Sequence, residues 1–327
     1  MNKSIKRIAV FTSGGDAPGM NACVRAVVRT AIFEGIEVYG IFEGYKGMIA
    51  GEFKELRSND VSNIIQRGGT ILKSARSEEF RTLEGRKKAY EQLKQFEIDG
   101  VVAIGGDGTF TGAKIFSDEH NIPFIGVPGT IDNDLYGTDW CIGYDTALNT
   151  VVQAIDKIRD TAAAHNRLFI VEVMGRDAGF IALRSGIAAG AEAILIPETK
   201  TYIDKLISKL EIGWKREKSS NIVVVAEGDD FGGAQKVAEA IQQKFAHFEI
   251  RISVLGHMQR GGSPSALDRV LASQLGNAAV LALLNSESSK MVGLINNQIR
   301  LTDLDKAIKH HQVINEGLLN LTEVLSN

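Results

Sequence analysis

Three glycine-rich turns carry the residues with the most chemical potential: SGGDAPGMN at 13–21, GGDGT at 105–109 and PGTIDND at 128–134. Each follows a short run of β-branched and aliphatic residues. Adjacent glycines at the end of a buried strand remove Cβ atoms, so backbone N–H groups can face an anion, and a helix start beyond them adds a favourable dipole. Together the three turns describe a phosphate-binding crevice. Two common phosphate motifs are excluded. Gly14 and Gly19 are followed by Met20 and Asn21, where a P-loop needs Lys-Ser/Thr, and Thr111 stands where the dinucleotide pattern needs its third glycine.

Acids sit inside these turns. Asp107, set among phosphate-facing amides, would repel a phosphate unless a divalent cation lay between them; an N-cap on the following helix is the alternative reading. Asp132 and Asp134 are two apart near Thr130, so one can take a proton from a hydroxyl while the other positions it, although an Asx-turn cluster would look the same. The arginines supply planar, permanently charged forks of the kind a phosphate group requires. His257 and Arg260 form an HxxR group after a strand and before Gly261-Gly262, although a strand-end histidine is often only structural. Arg25 and Arg29 form an i, i+4 cationic stripe, which is also what a solvated helix face looks like.

Positioning these residues takes a particular set of elements. Apolar runs at Ile8–Phe11, Val101–Ile104, Phe124–Val127, Phe169–Val173, Ala193–Ile196, Ile222–Val225 and Ile250–Leu255 alternate with helical periodicities. Strands without alternating polar residues are covered on both faces, which predicts doubly wound, mostly parallel sheets with ligands at the strand C-terminal ends. A helix is expected from Met20 to Glu34, stopped by Gly35, and a long one from Thr146 to Ala164. The domains should cross near Gly143 and Gly261.

The 327 residues suit one large or two medium domains. A net charge of −3 gives no reason to expect nucleic acid or a membrane surface as partner. The two cysteines, Cys23 and Cys141, form no CxxC, so neither a disulfide framework nor a structural zinc site is expected. No run of 18 apolar residues and no signal-type start occur, and the reading is a soluble cytoplasmic protein.

The ordered motifs SGGDAPGMN, QRGGT (66–70) with SAR (74–76), GGDGT, PGTIDND, VEVMGR (171–176) and LGHMQRGG (255–262) resemble those of bacterial-type ATP-dependent 6-phosphofructokinases, over almost the whole chain. The resemblance implies two Rossmann-like domains with the active site in the cleft between them. The larger, ATP-binding domain would span 1–143 and 259–308, and the smaller, fructose 6-phosphate-binding domain 144–258 and 309–327. The reaction implied is phosphorylation of the sugar's 1-hydroxyl by MgATP, a committed step of glycolysis.

Residue by residue, the resemblance gives Asp132 as general base beside Thr130 and Asp134, Arg76 as phosphate stabiliser and Asp107 as the Mg²⁺ residue. ATP would meet Gly15, Arg76, Ser77, Gly106, Asp107, Gly108 and Thr109, with Tyr45 stacked on adenine. Met174, Gly175, Arg176 and Glu227 match sugar-binding positions. Arg167, Arg251, His257 and Arg260 match the 6-phosphate clamp, with Arg167 and Arg251 contributed by a neighbouring subunit of a homotetramer. Arg25, Arg29, Arg159, Glu192 and Lys218 match an effector site for ADP or GDP, from which Ser58 and Ser219 depart by replacing basic residues. Pyrophosphate-using members carry an acid after the GGD and a lysine before the TIDND; here Gly108 and Gly129 stand there and favour ATP. A sugar-phosphate sensor without catalysis is the alternative from another class.

Overall fold

The computed structural model describes residues 5–165, 167–215, 221–245 and 249–325. In chain order its strands are β1 (Arg7–Thr12), β2 (Glu37–Ile41), β3 (Phe53–Glu55), β4 (Gly100–Gly105), β5 (Phe124–Pro128), β6 (Leu168–Val173), β7 (Ala193–Leu195), β8 (Asn221–Ala226), β9 (Ile250–Val254), β10 (Lys290–Ile295) and β11 (Gln298–Asp303). The α-helices are α1 (Met20–Phe33), α2 (Gly44–Ala50), α3 (Leu83–Gln95), α4 (Asp107–His120), α5 (Tyr144–His165), α6 (Phe180–Ala188), α7 (Ile203–Lys215), α8 (Gly233–Lys244), α9 (Ala266–Leu284), α10 (Leu304–Lys309) and α11 (Glu316–Leu325).

Two compact units result. The larger comprises Met1–Ile131, Leu135–Thr146 and Arg260–Gln312, and the smaller Asp132–Asp134, Ala147–Gln259 and Val313–Asn327. The crossings expected after 143, 258 and 308 fall after 146, 259 and 312, and the excursion of Asp132–Asp134 into the smaller unit was not expected. Tyr144–Thr146 stay with the larger unit because Gly143 and Thr146 are hydrogen-bonded to Asp268 there.

The larger unit is a seven-stranded sheet in the order β11-β10-β5-β4-β1-β2-β3, parallel except for the two edges. Every residue of β4 and β5 is buried, as continuous apolar strands covered on both faces must be. Ala9 and Phe11 of β1 face a core with Met48, Leu93, Phe110 and Phe116 from α2, α3 and α4. The period of two sends Ile8 and Val10 to the other face. On α1, the expected apolar stripe of Val24, Val27, Val28 and Ala31 is buried. α1 packs closely on α9, where Gly276 lets the two backbones approach: a Cβ there would stand 2.8 Å from the Cys23 carbonyl oxygen and 2.9 Å from Ala26 Cβ. By length and composition α9 could cross a membrane, yet half of it is buried inside the protein, as a core helix would be.

The smaller unit is a fully parallel four-stranded sheet, β7-β8-β6-β9. Its core joins Leu168, Ile170, Val223 and Val225 to Leu206, Leu210, Val237 and Ile241 of α7 and α8. All seven strands read from the sequence are present, and four more were not foreseen: β2, β3, β10 and β11.

Candidate active site

In the larger sheet the chain steps from β1 to β2 on one side and to β4 on the other, so the strand order reverses between β1 and β4. Ligand crevices form at such a switch point. The first two glycine turns leave from there. Gly14 and Gly19 hold φ of +82° and +110°, a region costly for residues with a Cβ, and Gly19 precedes the first residue of α1. The two turns touch: Ser13 N–H donates to the Ile104 carbonyl at 3.0 Å, and a Cβ on Gly105 would lie 2.6 Å from the Ser13 carbonyl oxygen.

Gly106 precedes α4 in extended geometry, and its carbonyl accepts from Thr109 and Phe110 at 3.0 and 3.1 Å. Asp107 is the first residue of α4 and caps nothing. Its Oδ1 is buried without a hydrogen-bond partner among the described residues, which removes the N-cap alternative and leaves a carboxylate oxygen ready for a ligand. A Cβ on Gly108 would meet nothing within 4 Å. Gly129 N–H donates to the Gly105 carbonyl at 3.0 Å, and a Cβ on Gly106 would be 3.7 Å from that of Thr130. The start of the third turn, Gly129 and Thr130, thus stands against the second within the larger unit, and Asp132–Asp134 belong to the smaller one.

Arg260 belongs to this group as well. Its guanidinium lies over Gly15, with Cζ 2.9 Å from where a Cβ would be, and Nη1 donates to the Asp16 carbonyl at 3.3 Å. Arg76 is exposed, and Ser77 Oγ accepts the Phe80 N–H at 3.2 Å. Tyr45 requires a correction. It is 6% exposed, stacks on Phe80 at 3.9 Å between ring centroids, and donates its hydroxyl to the Thr109 carbonyl at 2.6 Å. Its ring belongs to the core beneath α4, without an open face for adenine; burial also pushes its phenol well above the ordinary range.

In the smaller unit, the C-terminal ends of β6, β8 and β9 gather the expected sugar residues. Three consecutive backbone N–H groups there are held by two side chains. Met174 donates to Gln259 Oε1 at 3.2 Å, while Gly175 and Arg176 donate to Glu227 Oε1 at 3.3 and 2.8 Å. Gly175 and Arg176 hold φ of +146° and +55°, and a Cβ on Gly228 would lie 3.1 Å from the Arg176 carbonyl carbon. Glu227 therefore shapes the loop that would meet the sugar. Gln259 is fully buried, and its Nε2 donates to the Gly256 carbonyl at 3.0 Å, tying the turn that carries His257 to the end of β6. The part Gln259 plays in holding this backbone was not read from the sequence, although it lies inside the LGHMQRGG motif. Asp132 is 9% exposed, Asn133 has φ of +54°, and Asp134 is half-buried.

Arg167 and Arg251 lie at the opposite end of this sheet. Arg251 pairs in register with Phe169 near the start of β6, and both arginines hold Glu249, Arg167 Nε at 2.6 Å. Within one chain they do not converge with His257, which follows β9. Of the effector residues, Arg25 is half-buried and Arg29 exposed, and burial, then Arg29, pulls the Arg25 pKa down. Arg159 donates to the carbonyls of Ala189 and Gly190, the latter at 3.0 Å, and the Glu192 N–H donates to Ile222 at 2.8 Å. Lys218 and Ser219 lie outside the described residues.

Glycine turns at strand ends, a carboxylate oxygen buried at a helix start and Arg260 over the first turn define an α/β protein built to bind phosphorylated ligands. Residues 7–283 match the family described as Phosphofructokinase, and the chain belongs to that family. It is 58% identical over 322 residues to the ATP-dependent 6-phosphofructokinase 1 of Thermus thermophilus, covering 98% of this chain and 100% of the relative. It is 54% identical to the ATP-dependent 6-phosphofructokinase 2 of Bacteroides thetaiotaomicron, covering 99% of both chains. The phosphofructokinase structure from Saccharomyces cerevisiae superposes with a TM-score of 0.89 at 37% identity, over 98% of this chain and 47% of the yeast one, so this chain spans about half of that protein. A pyrophosphate-dependent phosphofructokinase from Marinobacter aquaeolei gives 0.84 at 26% identity, over 96% of this chain and 86% of its own.

Proposed function

We propose that this protein transfers the γ-phosphoryl group of MgATP to the 1-hydroxyl of fructose 6-phosphate, giving fructose 1,6-bisphosphate and ADP. The observation that carries this reading is the buried, unpartnered Oδ1 of Asp107 at the head of α4, between glycine turns, in a chain whose relatives at 54% and 58% identity are named ATP-dependent 6-phosphofructokinases. One carboxylate beside a triphosphate suits Mg²⁺, which keeps most of its ligands as water and phosphate oxygens. Asp107 would hold that ion, and the ion would neutralise charge on the transferring phosphate.

The chain's own residues supply the rest. Asp132 takes the proton of the 1-hydroxyl as its oxygen attacks the γ-phosphorus and ADP departs, with Thr130 and Asp134 beside it. The amides around Gly15, Gly106 and Gly108, with Arg76, receive the phosphates, and alignment supplies most of the acceleration. The backbone fixed by Glu227 and Gln259 presents Met174, Gly175 and Arg176 to the sugar ring. Gly129 supports ATP over pyrophosphate as donor, because it stands where pyrophosphate users carry a lysine, and a Cβ there would already be 3.1 Å from Ile104 and 3.2 Å from Met20, so both side chains would have to give way. Gly108 supports it too, leaving open space where the acid of pyrophosphate users would stand.

The separation of Arg167 and Arg251 from His257 along the smaller sheet supports a 6-phosphate clamp completed by a second copy of the chain, in a homotetramer. A nucleoside diphosphate, ADP or GDP, at Arg25, Arg29, Arg159, Glu192 and Lys218 would regulate it, and the setting is the cytoplasm. The test is purified protein with fructose 6-phosphate and either MgATP or magnesium pyrophosphate, with fructose 1,6-bisphosphate as the measured product. Product with ATP alone is expected. Product with pyrophosphate alone overturns the donor, and none with either overturns the enzyme.

A further inference from the structure

Asp268 is fully buried and has no part in the chemistry above. It stands in the first turn of α9, where Ser265 Oγ caps its N–H at 3.2 Å. In a capping box the acid at this position reaches back to the N–H of its own cap. Asp268 instead crosses to another helix. Its Oδ1 accepts the Gly143 N–H at 2.8 Å, and its Oδ2 accepts both the N–H of Thr146 at 2.8 Å and its hydroxyl at 2.5 Å. Thr146 Oγ1 in turn accepts the Ser265 N–H at 2.9 Å. One carboxylate and one hydroxyl thus satisfy the starts of α5 and α9 together, where each helix leaves orphan N–H groups.

The same knot touches the end of the first glycine turn. Gly143, at φ +101°, lies so close to Ala17 and Pro18 that a Cβ would stand 2.6 Å from Ala17 Cβ and 3.1 Å from Pro18 Cδ. On Gly19 a Cβ would be 2.7 Å from Ile142 and 3.6 Å from Asp268 Cβ. Holding Gly143 therefore holds the segment from Ala17 to Gly19, whose carbonyls accept the N–H groups of Met20 and Cys23 at 3.1 and 3.0 Å. We propose that Asp268 is a positioning residue for the phosphate-binding turn, fixing through Gly143 the backbone that runs from Gly14 into α1. This rests on the reading of that turn as the ATP phosphate site. Burial supports a functional reason for the acid: it pushes the carboxyl up to about 6, with Asp145 the charged neighbour adding to it, so the ionised form is held against its own preference.

The test uses the full-length protein and three variants, Asp268→Asn, Thr146→Val and Thr146→Ser, followed by amide hydrogen exchange and steady-state kinetics. Asn loses the acceptor facing the Thr146 N–H, and Val loses the hydroxyl, whereas Ser retains it. In Asp268→Asn and Thr146→Val, exchange at Met20 and Cys23 should quicken about tenfold, and kcat should fall about tenfold with the KM for fructose 6-phosphate within twofold. Thr146→Ser should restore both. Unchanged protection at Met20 and Cys23, with faster exchange only around 143–148 and 264–270, overturns the proposal by reducing Asp268 to a local cap. Should Asp268→Asn fail to fold, Thr146→Val carries the same comparison. Exchange is read without turnover, so an inactive wild type would refute the proposed reaction and leave this result standing.

Discussion

At the scale of single residues, the proposed chemistry turns on two aspartates and two glycines. Asp132→Ser removes the proton acceptor and leaves the arginines alone; kcat should fall by about 10²- to 10⁴-fold with a modest change in the KM for fructose 6-phosphate. Near-normal kcat in a steady-state assay would take the role of base from Asp132. Gly108→Asp is a sharper probe of the donor, because open space around that position means the substitution should fold as the wild type does. A carboxylate about 4 Å from an ATP phosphate costs on the order of 4 kcal/mol at an effective dielectric of 20, so ATP turnover should drop about a thousandfold with an unchanged melting temperature. Unaltered ATP kinetics would move the nucleotide elsewhere. The sequence made Asp107 and these glycines legible because an acid among glycines after a strand has few structural uses. Tyr45 was misread for the opposite reason: an aromatic after a glycine looks the same whether it will stack on a base or on Phe80, and only the packing of α4 over it decides.

At the scale of elements, legibility followed burial only in part: β9 was read although none of its residues is buried, and β10 was missed although three of its residues are. The seven strands read correctly include continuous apolar runs such as β4 and β8, where every residue is buried, whereas β2 starts on the exposed Glu37, carries Gly40 and was passed over. The hairpin of β10 and β11 had its own signal in Asn296-Asn297, whose φ of +49° and +59° make the two-residue turn. The end of α4 also carries a pH dependence. His120 stacks on Tyr90 at 4.4 Å, its Nε2 is buried without a hydrogen-bond partner among the described residues, and burial foremost lowers its pKa, partly opposed by Glu119. A histidine whose folded pKa lies below its unfolded value binds its proton better when unfolded, so stability is lost as pH falls below about 6.5. Asp268 acts in the other direction. Its carboxyl, raised to about 6, imposes a cost on the folded state above that pH which acid relieves, at most about 3 kcal/mol from a shift of roughly two units. His120→Phe should therefore melt higher than wild type at pH 5.5, with a smaller gain at pH 8. Asp268→Asn also loses an acceptor, so it should melt below wild type, with a smaller deficit at pH 8 than at pH 5.5. Parallel melting curves for all three proteins across that range would remove both assignments.

At the scale of the whole molecule, the question is how many chains make one active site. Arg251 lies level with Phe169 near the start of β6, and the loop of Met174–Arg176 follows its end. A strand rises about 3.3 Å per residue, so the two levels are roughly 15 Å apart, and with Arg251 held on Glu249 it and His257 of one chain do not meet on one phosphate. Arg167 and Arg251 are also tied to Glu249 on their own side of the sheet. If a neighbouring copy presents its Arg251 to this chain's sugar, then Asp132 and Arg251 of any one site come from different subunits, and each defect can be repaired by the other. Arg251→Ala and Asp132→Ser, each almost inactive alone, should regain activity when mixed, dissociated and reassembled. With random pairing, about one site in four combines an intact Asp132 with an intact neighbouring Arg251, so recovery should approach a quarter of wild-type turnover. Native mass spectrometry confirms that hybrids have formed, and a control of Arg251→Ala with Asp107→Ala tests whether any second defect on the base's chain is likewise complemented. Confirmed hybrids without activity would mean that each chain builds its clamp alone, and that Arg167 and Arg251 serve only to hold Glu249.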